Sequence, residues 1–185
     1  MPTVPVHTLF EPGGPALRLT TINPSHLHDI QIGLSAQFPD AVIRTIRGRQ
    51  ARTMQAFLAH FAVAFQFPYH FNETWTAFEH HTAALYGTEA DARPHLLLVS
   101  HASELLQDAP PRALGDLLRF LGKLHKTWSQ PHSVGEGLPT SFQVLLQEYG
   151  AGVQLLRTRL LAAGVLYELW EPESNAASPP AMPTW

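Results

Sequence analysis

The segment FQFPYHFNETWTAFEHH, Phe65 to His81, holds the most informative change of character in the chain. It is aromatic up to Phe71, turns polar at Asn72, and resumes an apolar spacing with Trp75 and Phe78. Upstream, Met54, Phe57, Leu58, Phe61 and Phe65 recur at helical intervals, so Arg52 to about Gln66 reads as an amphipathic helix. Pro68 ends it, because proline lacks an amide donor and disfavours helical geometry in the residue before it. A second helix is expected to follow Asn72, which can cap it and tolerates a positive φ at low cost. Trp75, Phe78 and Leu85 are expected to form its inner stripe, with Trp75 in the core.

The pattern on either side alternates. ALRLTTI and AVIRTIRG read as strands, and NPSHLHDIQIGLSAQF between them as a helix with Asn23 as cap and Pro24 at its first position. HLLLVS is short and continuously apolar, as in a strand buried on both faces. Leu114, Leu117, Leu118, Leu121, Leu124 and Trp128 mark a further helix, followed by the loop SQPHSVGEGLPT and the strand SFQVLLQEY. AGVQLLRTRLLAAG reads as a helix stopped at Gly164, and VLYELW as a last strand. Strands alternating with helices predict an α/β fold with a mainly parallel sheet. One domain is expected over residues 1–170, and the Pro- and Ser-rich segment 171–185 reads as a disordered tail.

At 185 residues and 45% hydrophobic content, the chain can bury a substantial core. A net charge of −3 leaves no basic footprint, so direct nucleic-acid binding is not expected. The absence of cysteine excludes disulfides, thiolate catalysis and Cys-based metal centres. No signal peptide or membrane-spanning run is evident, and a cytoplasmic protein is expected. GDLLRFLGKL lacks the spacing of a phosphate loop, and Ser35 lacks the second glycine of a nucleophile elbow. Neither the 11 histidines nor the acids Glu73 and Glu79 show metal-ligand or acid–base spacing. No cofactor, metal or catalytic residue is therefore assigned, and His95 is read as structural.

Phe67, Pro68, Phe71, Glu73, Trp75, Ala77 and Phe78 together resemble the helix join of the barstar family of ribonuclease inhibitors. The resemblance extends over about residues 41–149 in the order of strands and helices. It implies a non-enzymatic protein that blocks a ribonuclease or related toxin with the helix starting at Asn72. The surface implied comprises His70, Asn72, Glu73, Thr76, Glu79 and His80. Members of the family present two acids one turn apart, and Thr76 and His80 stand at those positions here. A regulatory module that no longer inhibits a ribonuclease is the alternative. The protein is expected to be a monomer or weak oligomer, with added strands and helices at both ends of the family core.

Overall fold

A computed structural model describes residues 5–85, 93–130 and 140–172. Five strands, β1 (Leu17–Thr20), β2 (Val42–Arg47), β3 (His95–Ser100), β4 (Phe142–Gln147) and β5 (Glu168–Leu169), form one sheet in the order β2-β3-β4-β1-β5. Every pairing is parallel. Among the described residues five α-helices pack on the sheet: α1 (Pro24–Gln37), α2 (Met54–Ala64), α3 (Trp75–Ala84), α4 (Ala113–Trp128) and α5 (Gly152–Ala162). The α/β reading and the parallel sheet are thus observed. VLYELW pairs over only two residues, because the segment before Glu168 is still turning away from α5.

The two sheet faces carry separate cores. Leu97 and Val99 of β3, with Val144 and Leu146 of β4, face a cluster built from α2, α3, α4 and α5. Leu96, Leu98 and Leu145 face the opposite cluster, made by Leu9 and Phe10, α1 and Trp170. Alternation along a strand sends successive side chains to opposite faces, which is why HLLLVS is apolar at every position. All six of its residues are buried.

Local chemistry sets the helix ends. Asn23 accepts from the His26 N–H at 2.8 Å with Pro24 in the first turn, and Thr53 accepts from the Ala56 N–H at 3.1 Å. The first turn of α2 is tied to the turn after β3 by Arg52, whose guanidinium pairs with both carboxylate oxygens of Asp108 (2.7 and 2.9 Å) and with Glu104 (2.9 Å). That hydrogen bond to Arg52 is the main reason the Asp108 carboxyl lies below its ordinary value. Beside this tie, a Cβ at Gly48 would collide with the carbonyl oxygen of His101, so only glycine lets these two turns approach.

His95 is buried, as its place in an apolar strand suggested. Its Nδ1–H donates to the Arg93 carbonyl at 2.8 Å and its ring meets Trp128 edge-on at 4.8 Å. His125 is buried too, and its neutral ring donates Nδ1–H to the Phe142 carbonyl at 2.9 Å. Burial holds this imidazole below its ordinary 6.5. The unfolded chain therefore takes up a proton at a higher pH than the folded one. Stability is complete above about 6.5 and is lost as pH falls towards the depressed folded value. Denaturant midpoints measured from about pH 7 to about pH 5 should decline, and His125→Gln should make the decline shallower. An unchanged slope would show that His125 does not set it.

Candidate protein-binding surface

The join between α2 and α3 is built by three successive devices. First, α2 closes with the Phe67 N–H donating to Ala62 O (2.8 Å) and the Gln66 N–H to Val63 O (3.3 Å), while Gln66 adopts φ 55°. This is the left-handed helix ending usually given to glycine. Next, a tight turn runs from Pro68 to Phe71, whose N–H donates to Pro68 O at 2.9 Å. Finally, Glu73 takes φ 52° and delivers Thr74 to the cap of α3.

Two details differ from the sequence reading. The cap is Thr74, not Asn72: its hydroxyl oxygen accepts from the Ala77 N–H at 3.3 Å and α3 begins at Trp75. The Asn72 side chain supports the cap from outside, accepting from the Thr74 hydroxyl at 2.9 Å. The positive φ falls on Glu73 rather than Asn72, so Glu73 precedes the helix instead of sharing it with Glu79.

Aromatic packing fixes the inner face of α3. Phe78 is fully buried, with its ring edge-on to Phe61 at 4.9 Å and to Phe57 at 5.9 Å, and tilted against Phe120 of α4 at 5.2 Å. Thr82 is buried beneath it and donates its hydroxyl to Phe78 O at 2.5 Å. Trp75 is half-buried rather than a core residue. It packs on Phe78 and on Phe120, at 5.4 and 5.5 Å, while one side of its ring lines an open groove.

The outer face is open. Thr76, Glu79, His80 and Ala83 are exposed and fall within an arc of about 100° on the helix. His70 is exposed in the turn and is joined to this arc through the half-buried His81, whose ring lies 5.7 Å from His70 and 5.5 Å from His80. Asn72 and Glu73 are exposed at the amino end. Among the described residues neither Glu73 nor Glu79 makes an ion pair. Glu89 and Asp91, the acids that follow in sequence, lie outside the described residues.

Beside this arc runs a groove of about 520 Å³ between α3, α4 and the start of α2. Met54, Trp75 and Phe120 supply its apolar lining, and Glu79, Arg112 and Lys123 are charged groups along it. Arg119 and Asp116 also line it but are paired with each other at 2.7 Å. Sequence reading missed the α4 half of this surface. Its residues lie some forty positions from Trp75, and the only available signal was the polar stripe of an otherwise ordinary amphipathic helix.

The usual ligand position of a parallel sheet is filled instead. That position is the crevice at the carboxyl ends where neighbouring strands send the chain to opposite faces. Here β1 leads to α1 on one face and β4 to α5 on the other. Gln147 bridges the gap, donating to Ile22 O at 2.7 Å and accepting from the His101 N–H at 3.4 Å. Glu148 is buried next to it and accepts from the N–H groups of Ser103 (2.8 Å) and Tyr149 (3.0 Å). Among the described residues no three His, Cys, Asp or Glu side chains are grouped to hold a metal ion. No helix among them is long and apolar enough to cross a membrane.

The structure is thus a parallel α/β fold in which a short helix is held by its inner face and its outer face is exposed. Residues 41–147 match the family Barstar (barnase inhibitor), and the chain belongs to that family. No curated protein matches the chain. Among solved structures, the Aeropyrum pernix ORC2 protein in ADPNP–ADP complexes is similar at a TM-score of 0.53 and 12% identity, over 85% of this chain and 42% of that one. Drosophila ORC bound to AT-rich DNA and Cdc6 gives 0.48 and 13%, over 89% and 52%. The chain thus spans about half or less of these neighbours, and the ORC2 likeness is one of fold.

The packing of α3 makes a graded stability prediction. Phe78→Ala should cost about 3–5 kcal/mol, as for a fully buried aromatic, and Trp75→Ala less, because part of its surface is already wet. Equal losses in denaturant titrations would place Trp75 in the core after all.

Proposed function

We propose that the protein is a non-enzymatic, cytoplasmic binding protein that occludes the active site of a ribonuclease or related toxin with the outer face of α3. His70, Asn72, Glu73, Thr76, Glu79 and His80 form the contact surface, and the groove lined by Trp75 and Phe120 receives a partner side chain. The observation that carries this reading is the division of α3: Phe78 and Thr82 are buried while Thr76, Glu79 and His80 are exposed together. A surface held in place before binding loses little conformational freedom on association. Family membership supports a ribonuclease as the class of partner. The proposal involves no cofactor, metal or nucleic acid.

This face keeps the exposed acids Glu73 and Glu79 but has Thr76 and His80 where the family presents its two acids. Close charge pairs across interfaces are coupled by about 1.5–7 kcal/mol, so a surface without the family's two acids forgoes much of the affinity for a basic active site. This favours as second reading a regulatory module of the same fold that no longer inhibits a ribonuclease. Inhibition of a basic, barstar-sensitive ribonuclease distinguishes the two. The parent should inhibit weakly. Thr76→Asp/His80→Asp should bind at least about tenfold tighter, with the gain shrinking as salt screens it. Strong inhibition by the parent, indifferent to either substitution, would remove this face from the mechanism.

A further inference from the structure

Helix α5 lies beyond the family match over residues 41–147, so the family's binding role does not account for what α5 builds. Together with the start of α4 and the turn after β3, it lines a second cavity, of about 450 Å³. Leu106, Leu114, Ala162 and Ala163 belong to its apolar lining, and Arg112 and Arg159 are its charged groups. The walls are held by contacts of their own. The N–H groups of Leu106 and Asp108 donate to Ala51 O and Arg52 O, each at 2.9 Å. Arg119 donates to Ala163 O at 2.9 Å, and α4 and α5 come so close there that a Cβ on Gly115 would lie 3.3 Å from that of Ala163.

Both charges in this cavity are positive and neither is compensated. Among the described residues neither Arg112 nor Arg159 forms an ion pair. The acids of the same turn and helix are engaged elsewhere, Glu104 and Asp108 by Arg52 and Asp116 by Arg119. Arg159 is half-buried and donates to Ser103 O at 2.5 Å, so part of its guanidinium is held by a neutral carbonyl. Burial pushes this guanidinium below its ordinary value, and no carboxylate offsets the effect. Arg18, buried as well, differs in having Glu168 and Glu11 close enough to oppose the same loss. A cation drawn out of water without a counter-charge is unfavourable until an anion joins it.

We propose that this cavity binds a small organic anion, with a carboxylate or phosphate head on Arg159 and Arg112 and an apolar body against the leucines and the alanines of α5. Pockets for small molecules have this composition, mostly apolar walls with a few placed polar groups, at volumes of about 300–1,000 Å³. The planar fork of a guanidinium fits either head group. Inorganic phosphate would leave the apolar walls wet, and an alcohol would leave both cations unpaired. Neither should suffice.

Titration of the full chain with octanoate and with hexyl phosphate, followed by amide NMR, tests this. At least one probe should shift the amides of Leu106 and Ala162 saturably, with a Kd on the order of 1 mM for a ligand of this size. The tighter of the two identifies the head group. Inorganic phosphate and octanol should bind at least about tenfold more weakly. Arg159→Met should weaken the better probe by at least about tenfold. Ala162→Phe, at an exposed position where a larger side chain fills the recess, should do the same with an unchanged unfolding midpoint. Neither residue lines the groove beside α3, so the outcome is independent of the role of that face. No saturable shift with either probe up to about 20 mM, octanol or inorganic phosphate binding as tightly as the better probe, or undiminished binding in Arg159→Met or Ala162→Phe would overturn the inference.

Discussion

The edge-on packing of Phe78 against Phe61, at 4.9 Å, is the contact on which the exposed face of α3 depends. A ten-residue helix does not persist alone in water, since its few hydrogen bonds barely offset the cost of nucleation. What holds α3 is burial of Phe78 and Thr82 against α2 and α4, with Trp75 and His81 covering the flanks. The position of Phe61 is in turn set by α2, and α2 is anchored where Arg52 pairs with Asp108 and Glu104. These pairs are exposed, so they contribute register more than free energy. The same region needs Gly48 to lie against His101.

From that anchoring follows a division of labour across the sheet. At the carboxyl ends of β3, β4 and β1 their own side chains tie the loops together: Gln147 links Ile22 to His101, and Glu148 accepts from the N–H groups of Ser103 and Tyr149. Side chains that tie buried loops together in this way stiffen a structure. The helical layer instead exposes one arc of α3 and a groove whose apolar lining is shared between α3 and α4. A partner protein can use such a surface because recognition then spreads over side chains already held in place.

Much of this was legible in the sequence because local rules and tertiary demands agree. The Phe67-Pro68 join, the Asn23 cap and the doubly apolar HLLLVS each have one physical solution, and the structure uses it. The order of strands and helices follows from the same signals. The cap of α3 did not follow, because Asn72 and Thr74 both qualify chemically and only the left-handed turn at Glu73 decides between them. Trp75 has the spacing of a core residue, yet among the described residues it also lines a groove, and spacing alone does not report what lies opposite. β5 was overestimated because an alternating apolar run looks the same whether or not its neighbour extends alongside it. The groove was invisible for a simpler reason: its two walls are distant in sequence.

The central claim is that the outer face of α3 is where this protein meets its partner. Affinity purification from the native host, comparing the parent chain with a Thr76→Arg chain as bait, tests it most directly. Thr76 is exposed, so the substitution changes the face without disturbing Phe78 beneath it. The account predicts that the parent retains a ribonuclease or toxin and that the Thr76→Arg chain loses it while remaining folded. Equal recovery by both baits, or recovery of no such protein by the parent, would contradict it.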